Sequence, residues 1–438
     1  MKKKVALHNL GCKVNAYEVE AMQQLLEQSG YEIVPFEPGA DIYVINTCTV
    51  TNIADRKSRQ MLHKAKKMNP DAIVVATGCY AQTDTGKLST DDAVDLILGN
   101  NQKKNIAEAI EEYEAEHQKT ARVIKINQTK EYEDLSIGYT AEHVRAYIKV
   151  QDGCNQFCTY CIIPYARGRV RSRRPESILK EVHALAERGY QEVVLTGIHL
   201  SSYGVDFEEE NCNLLELIRM VHQVEGIRRI RLGSLEPGIV TEEFAREISA
   251  MPKVCPHFHL SLQSGCDETL KRMNRRYDSR EYAKRCELLR KYYKNPALTT
   301  DVIVGFPMET EEDFQKSYDF VDQIHFYETH IFKYSRRQGT KAAAMDGQLT
   351  EAVKAERSDK MLELHERHSK EYESSVLGKT LEVLLEEEIL VNGNAYYVGH
   401  SCEYIKTAVE KRDGIGINDI VSVRAEKFLE NHLILGTL

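Results

Sequence analysis

The chain has 438 residues, of which 42% are hydrophobic and 29% are charged. These are ordinary values for a globular protein, and the length predicts two to four domains of roughly 100–200 residues each. The formal net charge of −9 excludes binding of nucleic acid through a globally basic surface, so a polyanionic partner would have to meet local basic patches.

The N-terminal segment does not have the pattern of a signal peptide, because His8 and Asn9 interrupt its apolar run. No span of the sequence approaches the ~20 apolar residues that cross a bilayer. Eleven cysteines in such a chain indicate reduced thiols, metal sites or redox chemistry before disulfides. The sequence therefore predicts a cytoplasmic protein with no membrane partner.

Residues 1–116 alternate between short β-branched runs and longer amphipathic stretches, which predicts a parallel sheet with helical crossovers. Cys12, Cys48 and Cys79 each close one of the first three predicted strands. Because the C-terminal ends of parallel strands share one edge of a sheet, these three cysteines are expected to converge in space. The alternative is that each is a small buried residue at a strand end; three in register favour a ligand set.

Two further domains follow in the sequence. Residues 140–372 show about six strand-helix units, fewer than a closed (β/α)8 barrel of ~250 residues needs, which predicts a partial (β/α)6 barrel. Residues 375–438 show short alternating strands with turn signals at "NGN" and "RDGIG", which predicts a small OB-like β-barrel. The predicted fold class is thus α/β with a small all-β domain at the C-terminus.

A loop after the first predicted barrel strand reads "GCNQFCTYC" and spaces Cys154, Cys158 and Cys161 as C-x3-C-x2-C. Half of a zinc site is one interpretation, but structural zinc normally has four protein ligands, and no further cysteine or histidine lies within ten residues. Three thiolates on a four-iron cluster leave one iron free to bind another molecule. The spacing therefore favours an iron–sulfur cluster with an open coordination site.

These motifs carry a resemblance to a known family. "CNQFCTYC" is similar to the radical S-adenosylmethionine signature C-x3-C-aromatic-C, with Tyr160 at the aromatic position. "GCKVNAYEVE", "VINTCTVTNIADRKSRQ" and "ATGCYAQ" resemble the N-terminal domain of methylthiotransferases, and the C-terminal strands resemble their TRAM domain. "GCKVN" and "TCTVTN" are similar to the branch that acts on threonylcarbamoyladenosine in tRNA.

The resemblance implies an enzyme that converts N6-threonylcarbamoyladenosine next to the anticodon to its 2-methylthio derivative. It implies two [4Fe-4S] clusters: one on Cys154, Cys158 and Cys161 that binds S-adenosyl-L-methionine, and an auxiliary one on Cys12, Cys48 and Cys79 that carries the sulfur. No catalytic residue beyond these ligands is expected. The implied partners are tRNA, an electron donor of flavodoxin or ferredoxin type and a sulfur donor.

Three alternatives remain at this point. The same chemistry would serve isopentenyladenosine in tRNA or a side chain of a ribosomal protein. A non-catalytic RNA-binding module with structural metal is the alternative of a different class.

Residues at the ends of the predicted barrel strands are expected to bind the cosubstrate, because ligands bind at the C-terminal ends of such strands. "TGI" and "VGFP" resemble glycine-containing motifs of the superfamily, although each also suits a plain strand-to-helix turn. The expected cosubstrate residues are Tyr160, Thr196, Gly197, Ser234, Gln263, Gly305 and Pro307.

The segment "RGRVRSRRPE" predicts phosphate contacts to RNA beside the cluster loop, since such contacts dominate nucleic-acid affinity. A solvated charged face is the alternative interpretation. The C-terminal domain is itself acidic, with ten Asp and Glu against six Lys and Arg, which leaves Tyr396, Tyr397 and Tyr404 as candidates for base stacking. The predicted phosphate contacts are Arg167, Arg169, Arg171 and Arg173.

Overall fold

The computed structural model describes residues 2–140, 144–208 and 212–438. Its N-terminal strands are β1 (Lys4–Asn9), β2 (Glu32–Ile33), β3 (Ile42–Thr47), β4 (Ile73–Gly78), β5 (Leu96–Leu98) and β6 (Thr120–Arg122). They form one 6-stranded sheet of order β2-β1-β3-β4-β5-β6, in which every neighbouring pair is parallel. β2 and β6 are too short to show a period in the sequence, and β6 extends this sheet past residue 116, the predicted end of the domain.

Helices of the N-terminal domain begin close to the predicted cysteines. They are α1 (Lys13–Gln28), α2 (Asn52–Met68), α3 (Cys79–Thr83), α4 (Thr85–Ser89) and α5 (Ile106–Glu116). Cys12 is the N-cap of α1, Cys48 lies in the turn between β3 and α2, and Cys79 is the first residue of α3. The strand-to-helix turns of a parallel sheet therefore bring three cysteines that are distant in sequence to one edge.

The central domain contains six parallel strands in chain order around a partial barrel, as the sequence predicts. Its strands are β7 (Ala146–Asp152), β8 (Arg171–Ser172), β9 (Glu192–Gly197), β10 (Arg229–Leu232), β11 (His257–His259), β12 (Ala297–Val304) and β13 (Glu328–Lys333). Parallel pairing joins β7, β9 and β10 and joins β11, β12 and β13, and a parallel bridge between Leu235 and Leu260 connects the two sets. The short β8 is an addition that pairs antiparallel with β7.

Helices α6 (Ile163–Arg167), α7 (Pro175–Glu187), α8 (Leu214–His222), α9 (Glu242–Ser249), α10 (Asp267–Arg272), α11 (Ser279–Tyr292), α12 (Glu311–Ile324) and α13 (Glu351–Ser375) follow the barrel strands. Phe258, Leu260 and Val302 belong to the hydrophobic core under these helices. Because side chains alternate along a strand, the residues between them point to the barrel interior. We call this interior the chamber; on β11, β12 and β13 it is lined by His257, His259, Thr299, Asp301, Glu328 and His330.

The C-terminal strands are β14 (Thr380–Val391), β15 (Asn394–Ser401), β16 (Lys406–Glu410), β17 (Ile420–Glu430) and β18 (Leu433–Thr437). They close into a barrel of order β14-β15-β16-β18-β17, so the predicted fold class is confirmed in all three parts. No helix in the described part of the chain has both the length and the apolar character needed to cross a membrane.

Buried arginines of β10 hold this small barrel against the beginning of the central strands. Arg229 donates hydrogen bonds to the carbonyl oxygens of Glu382, at 2.5 Å, and His400, at 3.0 Å. Arg231 donates to those of Ser401 and Cys402, at 3.2 and 3.0 Å. The two arginine side chains are 1% exposed, so these carbonyl oxygens satisfy guanidinium N–H groups that have little access to water.

Tyr404 lies inside this interface, which makes the prediction that it stacks on a nucleotide base wrong. Its ring stacks on His257 at 4.9 Å and on His400 at 4.4 Å between centroids. The guanidinium groups of Arg145 and Arg231 lie over the same ring at 5.0 and 4.7 Å. A ring covered by imidazole and guanidinium planes has no face left for a base.

Candidate active site

The turn that carries the first N-terminal cysteine packs against the second. A Cβ added to Gly11, which has φ +120°, would lie 3.2 Å from Cys48 Cβ and 3.3 Å from Cys48 Sγ, so the turn that carries Cys12 rests on Cys48. Cys79 Sγ accepts hydrogen bonds from Arg167 Nε at 3.2 Å and Asn100 Nδ2 at 3.7 Å. A guanidinium donor at a sulfur atom stabilises the thiolate, which is the form that binds iron.

The loop cysteines are held by their own set of contacts. Arg275 Nη1 donates to Cys158 Sγ at 3.2 Å, and the amide of Gln156 lies 3.5 Å from Cys154 Sγ. Phe157 adopts a left-handed φ of 51°, a conformation that costs a non-glycine residue about 1–2 kcal/mol and turns the loop between the first two cysteines. The three thiols thus face one space beside a cationic side chain.

Neither cysteine trio is arranged for a single ion. Within the described chain, the groups whose ligand atoms all lie within 4.8 Å of one another include neither trio. Four sulfur ligands around one zinc, at about 2.3 Å from it, would lie closer together than this limit. The described sulfur atoms are therefore too far apart to bind one zinc ion in this arrangement, whereas cysteines that bind different irons of a cluster do not need to be so close.

Burial affects the protonation of these thiols. It raises the pKa of Cys48 and of Cys154 to about 11 and that of Cys161 to about 12. At neutral pH the metal-free thiols therefore keep their protons. Cluster assembly must release those protons, which couples metal binding to the structure of the two loops.

The residues expected to bind the cosubstrate lie together at the C-terminal edge of the barrel. Thr196 and Gly197 end β9, Ser234 follows β10, Gln263 follows β11, and Gly305 and Pro307 follow β12. The ring of Tyr160 meets that of Phe306, which lies between the last two, edge to face at 6.5 Å. Their roles as cosubstrate contacts remain predictions.

Glycine is required at position 305 by the backbone structure, apart from its predicted role as a cosubstrate contact. Its φ is +73°, and a Cβ there would lie 2.3 Å from Lys354 Cγ. Its amide already donates to Glu309 Oε2 at 2.6 Å. Any cosubstrate contact at this position would therefore have to use the Gly305 carbonyl or the neighbouring residues.

A polar cluster beside the loop cysteines had no recognisable signal in the sequence. Glu236 Oε2 lies 3.0 Å from His199 Nε2 and accepts from Gln156 Nε2 at 2.9 Å. Glu236 also lies 3.9 Å from Arg275, the residue that donates to Cys158. These side chains come from four separate segments, and neither spacing nor residue type connects them before the barrel is folded.

The structure corrects the interpretation of the arginine segment, because Arg167, Arg171 and Arg173 are buried. Arg173 pairs with the buried carboxylate of Glu181, and Arg171 donates to the backbone carbonyls of Arg167 and Arg169. Their prediction as phosphate contacts is wrong, since no phosphate can reach them. Arg169 is the exposed member of the predicted four and lies over the ring of Phe157 at 4.5 Å.

Arg167 instead joins the N-terminal domain to the barrel. It donates to Glu18 Oε1 at 2.7 Å, to Glu18 Oε2 at 3.0 Å and to Asn15 Oδ1 at 2.6 Å, and lies 3.3 Å from Asp152. Burial alone would raise the pKa of Glu18, but Arg167 with Lys103 and Lys149 holds it well below its usual range. This network crosses the interface between the N-terminal domain and the barrel, and the side chains of Glu18, Lys103, Lys149 and Arg167 are all buried.

Comparison with known proteins gives two matching families: the Radical SAM superfamily over residues 148–321 and the Uncharacterized protein family UPF0004 over residues 4–99. The threonylcarbamoyladenosine tRNA methylthiotransferase MtaB of Bacillus subtilis (strain 168) is 42% identical over 97% of this chain and 94% of its own. The tRNA-2-methylthio-N(6)-dimethylallyladenosine synthase of Moorella thermoacetica is 38% identical over 86% of this chain and 85% of its own.

Among solved structures, the radical S-adenosylmethionine methyltransferase TsrM from Kitasatospora setae is similar, with a TM-score of 0.60 and 16% identity. The similarity covers 78% of this chain and 77% of that one. At this identity it shows a shared fold. Each family match contains one of the two cysteine trios, so the two trios lie in separately recognisable domains.

Proposed function

This chain belongs to the threonylcarbamoyladenosine tRNA methylthiotransferase family, and on that premise we propose that it attaches a methylthio group to C2 of N6-threonylcarbamoyladenosine next to the anticodon of tRNA. The observation that carries the proposal is the proximity of the two trios. Helix α6 begins two residues after Cys161, and its last residue, Arg167, donates to Cys79 Sγ. A sulfur held by one trio and a radical generated at the other would then act on one bound nucleotide.

The family uses S-adenosyl-L-methionine and a [4Fe-4S] cluster, for which Cys154, Cys158 and Cys161 are the ligands in our proposal. We assign a second cluster to Cys12, Cys48 and Cys79. When bound, the first cluster supplies the electron that cleaves S-adenosyl-L-methionine and the second presents the sulfur. A flavodoxin or ferredoxin type protein as electron donor, a separate sulfur donor and a cytoplasmic location complete the proposal.

The protein's own residues place positive charge beside a sulfur of each trio. Arg275 and Arg167 each place a guanidinium against a cysteine sulfur, which stabilises negative charge there in the absence of water. Arg167 is itself anchored by Glu18 and Asp152, so its position does not depend on the metal. The chain thereby positions one sulfur of each trio, that of Cys79 and that of Cys158, before any substrate binds.

The nucleoside product tests the function. In tRNA from cells that lack the gene, mass spectrometry should show loss of 2-methylthio-N6-threonylcarbamoyladenosine and accumulation of its precursor. The 2-methylthio derivative of isopentenyladenosine should persist, and it serves as the internal control. Loss of that derivative instead, or of a methylthio group from a ribosomal protein, would assign the chain to one of the alternative substrates; unchanged tRNA and protein would favour the non-catalytic module.

Replacing Arg169 by alanine should weaken tRNA binding by a small, salt-dependent amount. One lost phosphate contact lowers the slope of log affinity against log salt concentration by about 1, because fewer counterions are released on binding. Filter binding of tRNA at several salt concentrations measures this slope. Arg280→Ala, at the exposed start of α11, removes the same charge elsewhere and should leave the slope unchanged. If Arg169→Ala had the same slope as Arg280→Ala, Arg169 would belong to a solvated charged face and not to an RNA contact.

A further inference from the structure

The chamber contains a polar group that neither cysteine trio uses. His259 Nε2 lies 3.2 Å from Asp301 Oδ2, and His259 Nδ1 lies 3.0 Å from Thr299 Oγ1. Asp301 and His330 are paired positions on neighbouring strands, and the rings of His259 and His330 stack at 5.6 Å with an interplanar angle of 20°. Three adjacent strands thus present histidine and carboxylate side chains to the same space.

Lys13 adds a positive charge to this space. Its side chain is accessible to water but surrounded by protein, and this enclosure, with the positive charges of Arg231 and Arg145, lowers its pKa. Its ammonium in turn acts electrostatically on His257, Glu328 and His330. Both observations fit a side chain that projects from the start of α1 into the open chamber. The other nearby cations, Arg145 and Arg231, are paired with Glu192 and Glu386, whereas the described part of the chain shows no ion pair for Lys13.

We propose that Lys13, Asp301 and His330 form the binding site for the threonylcarbamoyl substituent of the substrate. This inference rests on the proposed function and names the part of the chain that selects the nucleoside. The substituent carries a carboxylate, a hydroxyl group and urea N–H groups. Lys13 pairs with the carboxylate, Asp301 accepts from an N–H or hydroxyl group, and the His330 imidazole completes the hydrogen bonds.

The direction of the substituent agrees with this placement. C2 and C6 flank N1 in the adenine ring and their substituents point in different directions, so a base that presents C2 to the cysteines at the C-terminal ends of the strands directs N6 obliquely towards the barrel interior. His330 precedes Lys333, the last residue of β13, by three positions, which is a depth of roughly 10 Å at the rise of a strand. Phe332, on the same face between them, is 46% exposed and offers a ring on which the base can stack.

The same residues would disfavour a prenylated base. An isopentenyl group has no polar atom, so its entry would remove water from Lys13 and Asp301 without replacing their hydrogen bonds. Sites built to hydrogen-bond a substrate reject an analogue that lacks the polar group by about 10⁴–10⁵-fold. The chamber therefore selects threonylcarbamoyladenosine over isopentenyladenosine by the polarity of the N6 substituent and not by its size.

The test compares kcat/KM of Lys13→Met and His330→Gln on tRNA that carries threonylcarbamoyladenosine or isopentenyladenosine. With the first substrate, Lys13→Met should lose about 100-fold, in the range for loss of one partner of a charged hydrogen-bonded pair. Lys13→Arg should recover most of that loss. In both Lys13→Met and His330→Gln, the ratio of kcat/KM for threonylcarbamoyladenosine to that for isopentenyladenosine should fall. His183→Gln, exposed on α7, is the control and should match the wild type.

Iron and sulfide per chain are measured for each variant, because Lys13 adjoins Cys12. If Lys13→Met loses iron, the substrate preference of His330→Gln tests the inference instead, because His330 lies on β13 and not next to a cysteine of either trio. Unchanged substrate preference in His330→Gln would overturn the inference, as would a stoichiometric metal other than iron that the wild type holds and His330→Gln lacks. A wild-type protein inactive on threonylcarbamoyladenosine would instead contradict the proposed function, whatever the variants do.

Discussion

Replacing Cys48 by alanine should abolish methylthiolation of tRNA while leaving cleavage of S-adenosyl-L-methionine to 5′-deoxyadenosine measurable. Cys48 follows β3 in a domain that has its own hydrophobic cores, whereas the other trio is carried by a loop of the central domain. Loss of one of two four-iron clusters should lower iron from about eight to about four atoms per chain after anaerobic reconstitution. Chromatography of 5′-deoxyadenosine and mass spectrometry of the nucleosides complete the measurement.

The reciprocal variant and a matched control make this result specific. Cys158→Ala should also lose about four irons, but it should lose 5′-deoxyadenosine together with the product. Cys402→Ser changes a partly exposed thiol of the C-terminal barrel and should retain full iron and activity. A Cys48→Ala protein that kept its iron and still methylthiolated tRNA would return the N-terminal trio to the interpretation as buried thiols.

Arg167→Met should destabilise the protein by about 3–5 kcal/mol, because it removes one partner of a buried ion pair and with it the hydrogen bonds from Arg167 to both oxygens of Glu18 and to Asn15 Oδ1. The side chains of Arg167 and Glu18 are 0% exposed, so water cannot replace the lost contacts. Urea unfolding of the metal-free protein measures the change. The same variant should reconstitute with less iron, since Cys79 Sγ loses its closest donor.

Two comparisons separate this effect from RNA binding. Arg169→Met, at the exposed neighbouring arginine, should unfold at the wild-type urea concentration. Adding Glu18→Gln to Arg167→Met should cost further stability, because the buried ammonium groups of Lys103 and Lys149 then lose the carboxylate that they share. An Arg167→Met protein as stable as the wild type would show that the buried network contributes little to holding the two domains together.

The sequence predicts most of the fold because its strands have a clear period and its cysteines occupy strand ends. "IYVINTC" and "AIVVATGC" become β3 and β4, each followed by its cysteine. β2 and β6 escape prediction, since two or three residues show no period. The position of the N-terminal trio is also predictable, because a parallel sheet brings Cys12, Cys48 and Cys79 to one edge although they are far apart in the sequence.

Partners distant in sequence account for the failures. "RGRVRSRRPE" has the pattern of a charged surface, and the carboxylate that buries Arg167 belongs to Glu18, 149 positions away. Tyr404 is covered by His257, by Arg145, which directly precedes β7, and by Arg231 of β10. The sequence around Tyr404 predicts none of these contacts. The alternation in "HFHLS" and "ETHIFK" indicates a polar face, but only the curvature of the partial barrel turns that face towards an enclosed chamber.

The contacts around Tyr404 have a consequence for how a large RNA is held. Tyr404 has a left-handed φ of 72° and sits between His257 of the central barrel and His400 of its own domain, while Arg229 and Arg231 grip the backbone beside it. The C-terminal barrel is consequently a rigid extension of the catalytic unit and not a module on a tether. Any stretch of RNA in contact with the small barrel would therefore be held at a fixed distance from the reacting base.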